Sequence, residues 1–289
     1  FPWLSPCVWR CGGGAVRKSF APLEILRWAF FALVVLVFNF PLLFTATTSF
    51  KRTPEITAKV WLFAPTLEHY LKIFTDRSLD FPRYLLNSIS ISLGGTLIAV
   101  AVTLPAAYAM VRFGLWRGSL LPLVTNLRAV PLVIFAIPFY LMFQAVGLLD
   151  TRTGLAIIAA VINVPLALIL FAGFIQDFPP EIEEAARVDG AGTLEVFRHI
   201  IVPLAMPVVV AVAILSFIYS WNEYLFGLIL TTKNATPVTV GSALFITSWG
   251  VRWGEIAAAM TVSALPPLIL GMFGYRYLAR ALVAGAVKG

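Results

Sequence analysis

Residues 176–201 read QDFPPEIEEAARVDGAGTLEVFRHII and lie between two of the most apolar runs in the chain, Leu155–Phe174 and Val202–Trp221. Each flanking run has roughly the 20 residues that a helix needs to cross the hydrocarbon core of a bilayer. The stretch between them is dense in carboxylates and cannot share that environment. It reads as a polar connection between two spans. Pro179-Pro180 can open a helix, because a first turn needs no backbone donors. Glu181, Glu183 and Glu184 follow, where carboxylates complement the helix dipole. Glu183 and Arg187 are spaced i,i+4 and are expected to pair along the surface. Ile182, Ala185 and Ala186 are expected to share one face, narrow enough to lie in a partner's groove. Gly190, in Asp189-Gly190-Ala191-Gly192, supplies the positive φ that ends such a helix. Thr193 is placed to cap a second helix through Val196, Phe197 and Ile200 toward Pro203.

Working outward, the same alternation of apolar run and polar break recurs. Hydrophobic residues make up 60% of the 289 positions and charged residues 12%, against about 25% in ordinary soluble domains. Six runs are predicted to span: 28–47, 86–110, 121–143, 155–174, 202–221 and 256–278. They are expected to be helices, since backbone groups in lipid must be satisfied within the segment, and none alternates at period two as barrel strands do. The fold class expected is therefore an all-α polytopic membrane protein. Pro105, Pro131, Pro138, Pro165, Pro207 and Pro266-Pro267 punctuate the runs and permit bends.

The net charge of +7 comes from residues scattered between runs, as expected for headgroup anchors and not for a nucleic-acid surface. Short basic segments favour both termini inside, although Lys51 and Arg52 argue the other way. Cys7 and Cys11 have no second pair, and His69 and His199 are distant, so no metal site is expected. The stretch Gly12-Gly13-Gly14-Ala15-Val16-Arg17-Lys18-Ser19 is superficially similar to a phosphate-binding loop, but Arg17 stands where a glycine is required. Residues 1–24 read as a tail and 25–289 as one transmembrane domain.

Glu184-Ala185-Ala186, three residues, Gly190, nine residues, Ile200, one residue, Val202-Pro203 resembles the EAA loop of permease subunits of binding-protein-dependent ABC importers, with Val202 where leucine is usual. Ala106-Ala107-Tyr108-Ala109-Met110-Val111-Arg112-Phe113 is similar to the end of that family's second helix. Gly147-Leu148-Leu149-Asp150-Thr151 resembles a family loop, and Trp221-Asn222-Glu223-Tyr224 its signature near the end of the fifth helix. Gly285-Ala286-Val287-Lys288-Gly289 is similar to the tail of maltose-type sugar permeases. The resemblance runs from about Leu26 to the end.

The resemblance implies a six-helix type I ABC importer permease fold in a bacterial inner membrane, with N- and C-termini cytoplasmic. It implies a coupling helix docked on a separate cytoplasmic ATPase through Glu184, Ala185, Ala186, Asp189, Gly190, Ile200 and Pro203. It further implies as partners a second permease subunit, an ABC ATPase dimer and an extracytoplasmic solute-binding protein that contacts the long first loop and the Leu230–Trp253 segment. ATP and Mg would be held by the ATPase, leaving this chain with no cofactor and no catalytic site. Polar groups within or beside the runs are candidates for a substrate path, because burying them in lipid costs several kcal/mol: Asn126, Arg128, Asn163, Asn222 and Glu223, with Tyr140 and Trp221 as aromatic surfaces for a sugar ring. Asn87 and Gln144 belong to the same polar set. An arginine facing the path would suit an anionic sugar such as a uronate. The alternative, an ion-coupled secondary transporter, would call for intramembrane carboxylates, and none lies in the middle of a run.

Overall fold

The computed structural model describes residues 22–76, 80–116, 118–247 and 250–286. Cys7, Cys11, the glycine-rich stretch 12–19, Arg117 and the last three residues of the chain lie outside them.

The chain divides into two units, one ending at Phe44 and one beginning at Thr45. The first holds most of helix α1 (Pro22–Ser49), in which Phe40 and Phe44 stack at 5.9 Å and Arg27 lies over the Phe31 ring. The second begins with two short helices, α2 (Thr53–Thr57) and α3 (Glu68–Thr75). They precede α4 (Phe81–Arg112), which runs without interruption for 32 residues, about 48 Å at 1.5 Å per residue. Helices α5 (Leu120–Leu127) and α6 (Ala136–Ala145) follow, joined through a 3-10 turn at Leu132–Phe135. Next come α7 (Arg152–Asp177) and the nine-residue α8 (Pro180–Val188). The short α9 (Thr193–Val196) passes through a π turn at Phe197–Ile201 into α10 (Val202–Trp221). Beyond it lie α11 (Leu225–Leu230), α12 (Val238–Gly241), a two-residue hairpin of β1 (Ile246–Thr247) and β2 (Gly250–Val251), and α13 (Trp253–Ala286).

Among the described residues five helices are long and apolar enough to cross a membrane, and a sixth span results if α5 and the Leu132–Ala145 segment count as one. That third span is not the single helix expected over 121–143. It bends by 99° between Leu127 and Leu132. Pro131 accounts for the break: it cannot donate to the preceding turn and holds the residue before it away from helical geometry. Pro105, Pro165, Pro207, Pro266 and Pro267 stay inside continuous helices. At Pro203 the adjoining π turn carries the helix through, so the second segment is longer than expected and runs unbroken from Thr193 to Trp221. Thr193 does not cap it. Gly192 does, and its N–H donates to the Glu195 carboxylate at 2.8 Å.

Helices α4 and α7 pack closest. A methyl group added at Gly95 would stand 2.6 Å from the Ala159 Cβ, and one at Gly94 would stand 3.2 Å from the Ala156 Cβ. Small side chains let two backbones approach where van der Waals contact, and not water exclusion, holds helices together. Asn163, 2% exposed on α7, adds a polar fastening to α10, donating to the Ser220 hydroxyl at 2.9 Å and to the Ser216 carbonyl at 3.4 Å. Two apolar clusters mark the opposite ends of this second unit. One gathers Tyr108, Phe171, Ile175, Val196 and Ile201 near α8, and the other gathers Phe81, Phe217, Trp221, Phe245 and Ile256.

Candidate functional site

The α8 end is built by one arginine. Arg112, the last residue of α4, donates from Nε to Glu183 Oε1 at 2.5 Å and from Nη2 to the Phe178 carbonyl at 2.8 Å. One turn earlier, the Tyr108 hydroxyl donates to Glu183 Oε2 at 2.9 Å. The Tyr108 ring packs edge-on against Phe113 and tilted against Phe197. Glu183 is thereby 3% exposed. The expected i,i+4 pair with Arg187 is present, its Nη2 4.0 Å from Oε2, but the carboxylate is buried and not on the surface. Ala186, three residues on, also turns inward and packs on the core, so it does not share an outer face with Ile182 and Ala185.

The opposite face of α8 is open. Glu184, Ala185 and Asp189 are exposed, with Ile182, Val188 and Leu194 as exposed apolar side chains beside them. Gly190 has φ +92°, and the Ala191 N–H donates back to the Ala186 carbonyl at 3.0 Å, closing the helix as expected for a left-handed glycine. Ile200 is half-buried against the core, and Pro203 is exposed in the first turn of α10.

At the other end, polar groups from three stretches converge. Asn87 on α4 accepts from Arg152 Nε at 2.7 Å and donates to the carbonyls of Asn234 and Thr236 at 3.1 and 2.9 Å. The Ser88 hydroxyl accepts the Val238 N–H at 2.8 Å, and Arg83 donates to Asn234 Oδ1 at 3.0 Å. Asp150, at φ +54°, turns its carboxylate to the backbone N–H groups of Thr232, Lys233, Asn234 and Ala235. Burial alone would raise its pKa, but these four N–H donors outweigh it and hold the carboxyl at about 2. On α3, His69 is fully buried, its Nε2 2.9 Å from the Lys51 carbonyl.

The path candidates separate into two groups. Asn163 and Trp221 are buried fastenings, Trp221 stacking on Phe217 at 5.6 Å and donating from Nε1 to the Ser263 carbonyl at 3.0 Å. Glu223 accepts the N–H groups of Phe226 and Gly227 and so caps α11. Its carboxylate, with Ser88 and Ser220, lines a pocket with room for about one water. The other group is exposed: Asn126, Arg128, Tyr140, Gln144 and Asn222. Arg128 stands where α5 ends at the 99° bend, its guanidinium 5.9 Å over the Tyr219 ring. Tyr219 is 52% exposed and lies one turn from Asn222 on α10. Among the described residues no three His, Cys, Asp or Glu side chains gather as a metal-holding set.

Of the residues that organise both ends, Glu183 is marked in the sequence only as a partner for Arg187, and Arg112, Asp150 and Asn234 do not stand out. The resemblance passes through Arg112 and Asp150, and that is the one signal the sequence offers for them.

Comparison with known proteins adds a family and a fold. Residues 80–284 match the family described as "Binding-protein-dependent transport system inner membrane component". The chain is 32% identical over 261 residues to the trehalose/maltose transport system permease protein MalG of Thermococcus litoralis, covering 89% of this chain and 94% of that protein. It is 31% identical over 267 residues to the sulfoquinovosyl glycerol transport system permease protein SmoH of Agrobacterium fabrum, covering 90% and 93%. A crystal structure of a bacterial ABC transporter involved in the import of the acidic polysaccharide alginate superposes with a TM-score of 0.76 at 22% identity, over 90% of this chain and 98% of that one.

Proposed function

Since the chain belongs to the family of inner membrane components of binding-protein-dependent transport systems, we propose that it is one permease subunit of an ATP-driven carbohydrate importer. It is a multi-pass inner membrane protein, and its work is to open a path alternately to the two sides. The observation that carries the reading is the split character of α8. Glu183 anchors the helix from below, while Glu184, Ala185, Ile182 and Val188 are left open for a protein that is not part of this chain. The occupant is a cytoplasmic ATPase dimer, which holds the ATP and Mg and does the hydrolysis. Glu184 meets a basic side chain there, and Ala185 permits close approach. On this reading α8 and both termini lie in the cytoplasm. This chain supplies no catalytic group. The opposite end, with the Leu230–Trp253 segment, faces an extracytoplasmic solute-binding protein, and a second permease subunit completes the path.

Carbohydrate as cargo rests on the relatives named for trehalose/maltose and sulfoquinovosyl glycerol. An acidic sugar is favoured by Arg128, a guanidinium exposed within a broken span and set over the Tyr219 ring. Asn126, Arg128, Tyr140 and Asn222 line the path, and Asn163, Trp221 and Glu223 shape it from behind.

The test is Glu184→Lys, with Gly190→Pro beside it, in membranes containing the partner ATPase. Both variants should insert at normal levels yet lose cargo uptake and stimulated ATP hydrolysis. Wild-type uptake with the ATPase still captured at wild-type strength would refute the assignment of this helix. So would labelling that places residues 180–192 outside the cell.

A further inference from the structure

We propose that Arg112, Glu183 and Tyr108 form a latch that makes α8 and α4 move as one body, so that Glu183 is a positioning residue for transport in its own right. The inference rests on the reading of α8 as the ATPase-docking helix and adds the route by which its displacement enters the spans.

A helix of nine residues does not hold itself in water, because nucleation costs more than so few hydrogen bonds return. Apolar burial contributes only the Ala186 methyl, since Ile182 and Val188 point away at 44% and 87% exposure. What seats it is the buried carboxylate. Oε1 is taken by the Arg112 guanidinium and Oε2 by the Tyr108 hydroxyl, so both oxygens are committed to α4. The same guanidinium holds the Phe178 carbonyl that ends α7. Arg112 is only 15% exposed at its side chain, which strengthens the pair over an exposed one. A push on α8 therefore reaches the last turn of α4 through these side chains, besides reaching α7 through the backbone.

Helix α4 then carries it from one of its ends to the other. The helix is unbroken from Phe81 to Arg112, and Gly94 and Gly95 lock its middle against α7. At its far end Asn87 and Ser88 hold the backbone of Asn234, Thr236 and Val238. One rigid element thus joins the docking helix at one end to the 234–238 segment at the other. Glu184 faces the partner, and its neighbour Glu183 faces the lever.

The experiment uses the whole importer in proteoliposomes: both permeases, the ATPase and the loaded binding protein. Glu183→Gln, Arg112→Lys and Tyr108→Phe are each compared with the double variant Glu183→Gln/Arg112→Lys. The readouts are ATPase co-purification, binding-protein-stimulated hydrolysis, and cargo moved per ATP. The ATPase should co-purify at wild-type yield, because the outer face of α8 is untouched. Cargo per ATP should fall roughly tenfold in Glu183→Gln and in Arg112→Lys, within the range of coupling energies between sites. It should fall about threefold in Tyr108→Phe, which loses one hydrogen bond and keeps the ring. The double variant should be no worse than the poorer single one, as for two halves of one device. Unchanged cargo per ATP in all three single variants, or losses that multiply in the double, would overturn the latch. Loss of co-purification in both Glu183→Gln and Tyr108→Phe would also overturn it, by reducing Glu183 to a seat for docking. Failure of the wild-type chain to assemble with the ATPase would instead count against the function proposed above.

Discussion

Both carboxylate oxygens of Asp150 lie 2.9 Å from the backbone nitrogen of Asn234, so one N–H is shared across the carboxylate. The Asn234 side chain adds a bond from Nδ2 at 3.0 Å, and Thr232, Lys233 and Ala235 contribute their own N–H groups. A run of backbone donors bent around an anion is ordinarily a ligand site. Here the anion belongs to the protein, and it ties the turn before α7 to the loop after α11.

This tie should fail in acid. The Asp150 carboxyl is held at about 2 against an ordinary 3.8, so its contribution is complete above 3.8 and declines as pH falls toward 2, where the folded form protonates. The loss is on the order of 1 kcal/mol, because the site is partly open to solvent and screening discounts it. Thermal unfolding of the detergent-purified chain at pH 6 and pH 3 should show this step in the wild type and a smaller one in Asp150→Asn. The asparagine points an amide at donors it cannot satisfy, so it should already be less stable at pH 6. An identical pH dependence in the two proteins would remove Asp150 from this role.

Gly95→Ala should loosen the main helix pair. The new methyl would meet Ala159 at 2.6 Å, and the Ala156 carbonyl at 3.1 Å closes the other side. Overpacking of this kind costs about 1–3 kcal/mol. Gly94→Ala, with 3.2 Å to its nearest neighbour, should cost distinctly less. Melting temperatures of the two variants in one detergent decide this, and a reversed order would show that α4 and α7 approach elsewhere.

Much of the fold was legible in the apolar runs, because a span must satisfy its own backbone and clothe itself in apolar side chains. The ends were not. The run starting at Leu86 becomes a helix starting at Phe81, since Arg83 finds a polar partner in Asn234, 151 positions away, and need not stay outside the helix. Pro131 breaks its span while Pro105, Pro165 and Pro207 do not, and spacing alone does not separate them. The choice between Glu183 and Glu184 was equally closed to sequence reasoning. Both sit in an acidic first turn, and the cation that selects Glu183 lies 71 positions earlier.

Asn163→Ala should weaken the α7–α10 contact without altering which cargo is moved. Its amide is buried and committed to Ala159, Ser216 and Ser220. Interhelical hydrogen bonds in membranes average about 0.6 kcal/mol, so the melting temperature should fall slightly and uptake selectivity should hold. A changed preference among sugars, with stability unaltered, would return Asn163 to the path.

Arg128→Ala should discriminate between anionic and neutral cargo. The guanidinium is exposed at the break between α5 and the Leu132–Ala145 segment, and no carboxylate pairs with it among the described residues. A cation within a span is costly unless it faces water, a partner or a substrate. The Tyr219 ring lies 5.9 Å below it, a contact that steadies a guanidinium without neutralising it. A sugar carboxylate arriving there would meet a positive charge with its donors still available, in surroundings less screened than bulk water. Removing that charge should lower uptake of an acidic oligosaccharide by roughly tenfold to a hundredfold, the range of one charge-assisted hydrogen bond. A neutral sugar of the same length should lose little, and Arg128→Lys should fall between. The check is competition uptake in vesicles, with the acidic and neutral sugars delivered by the same binding protein. Equal losses for both sugars would make Arg128 a prop for the bend at Pro131, and the case for an acidic cargo would go with it.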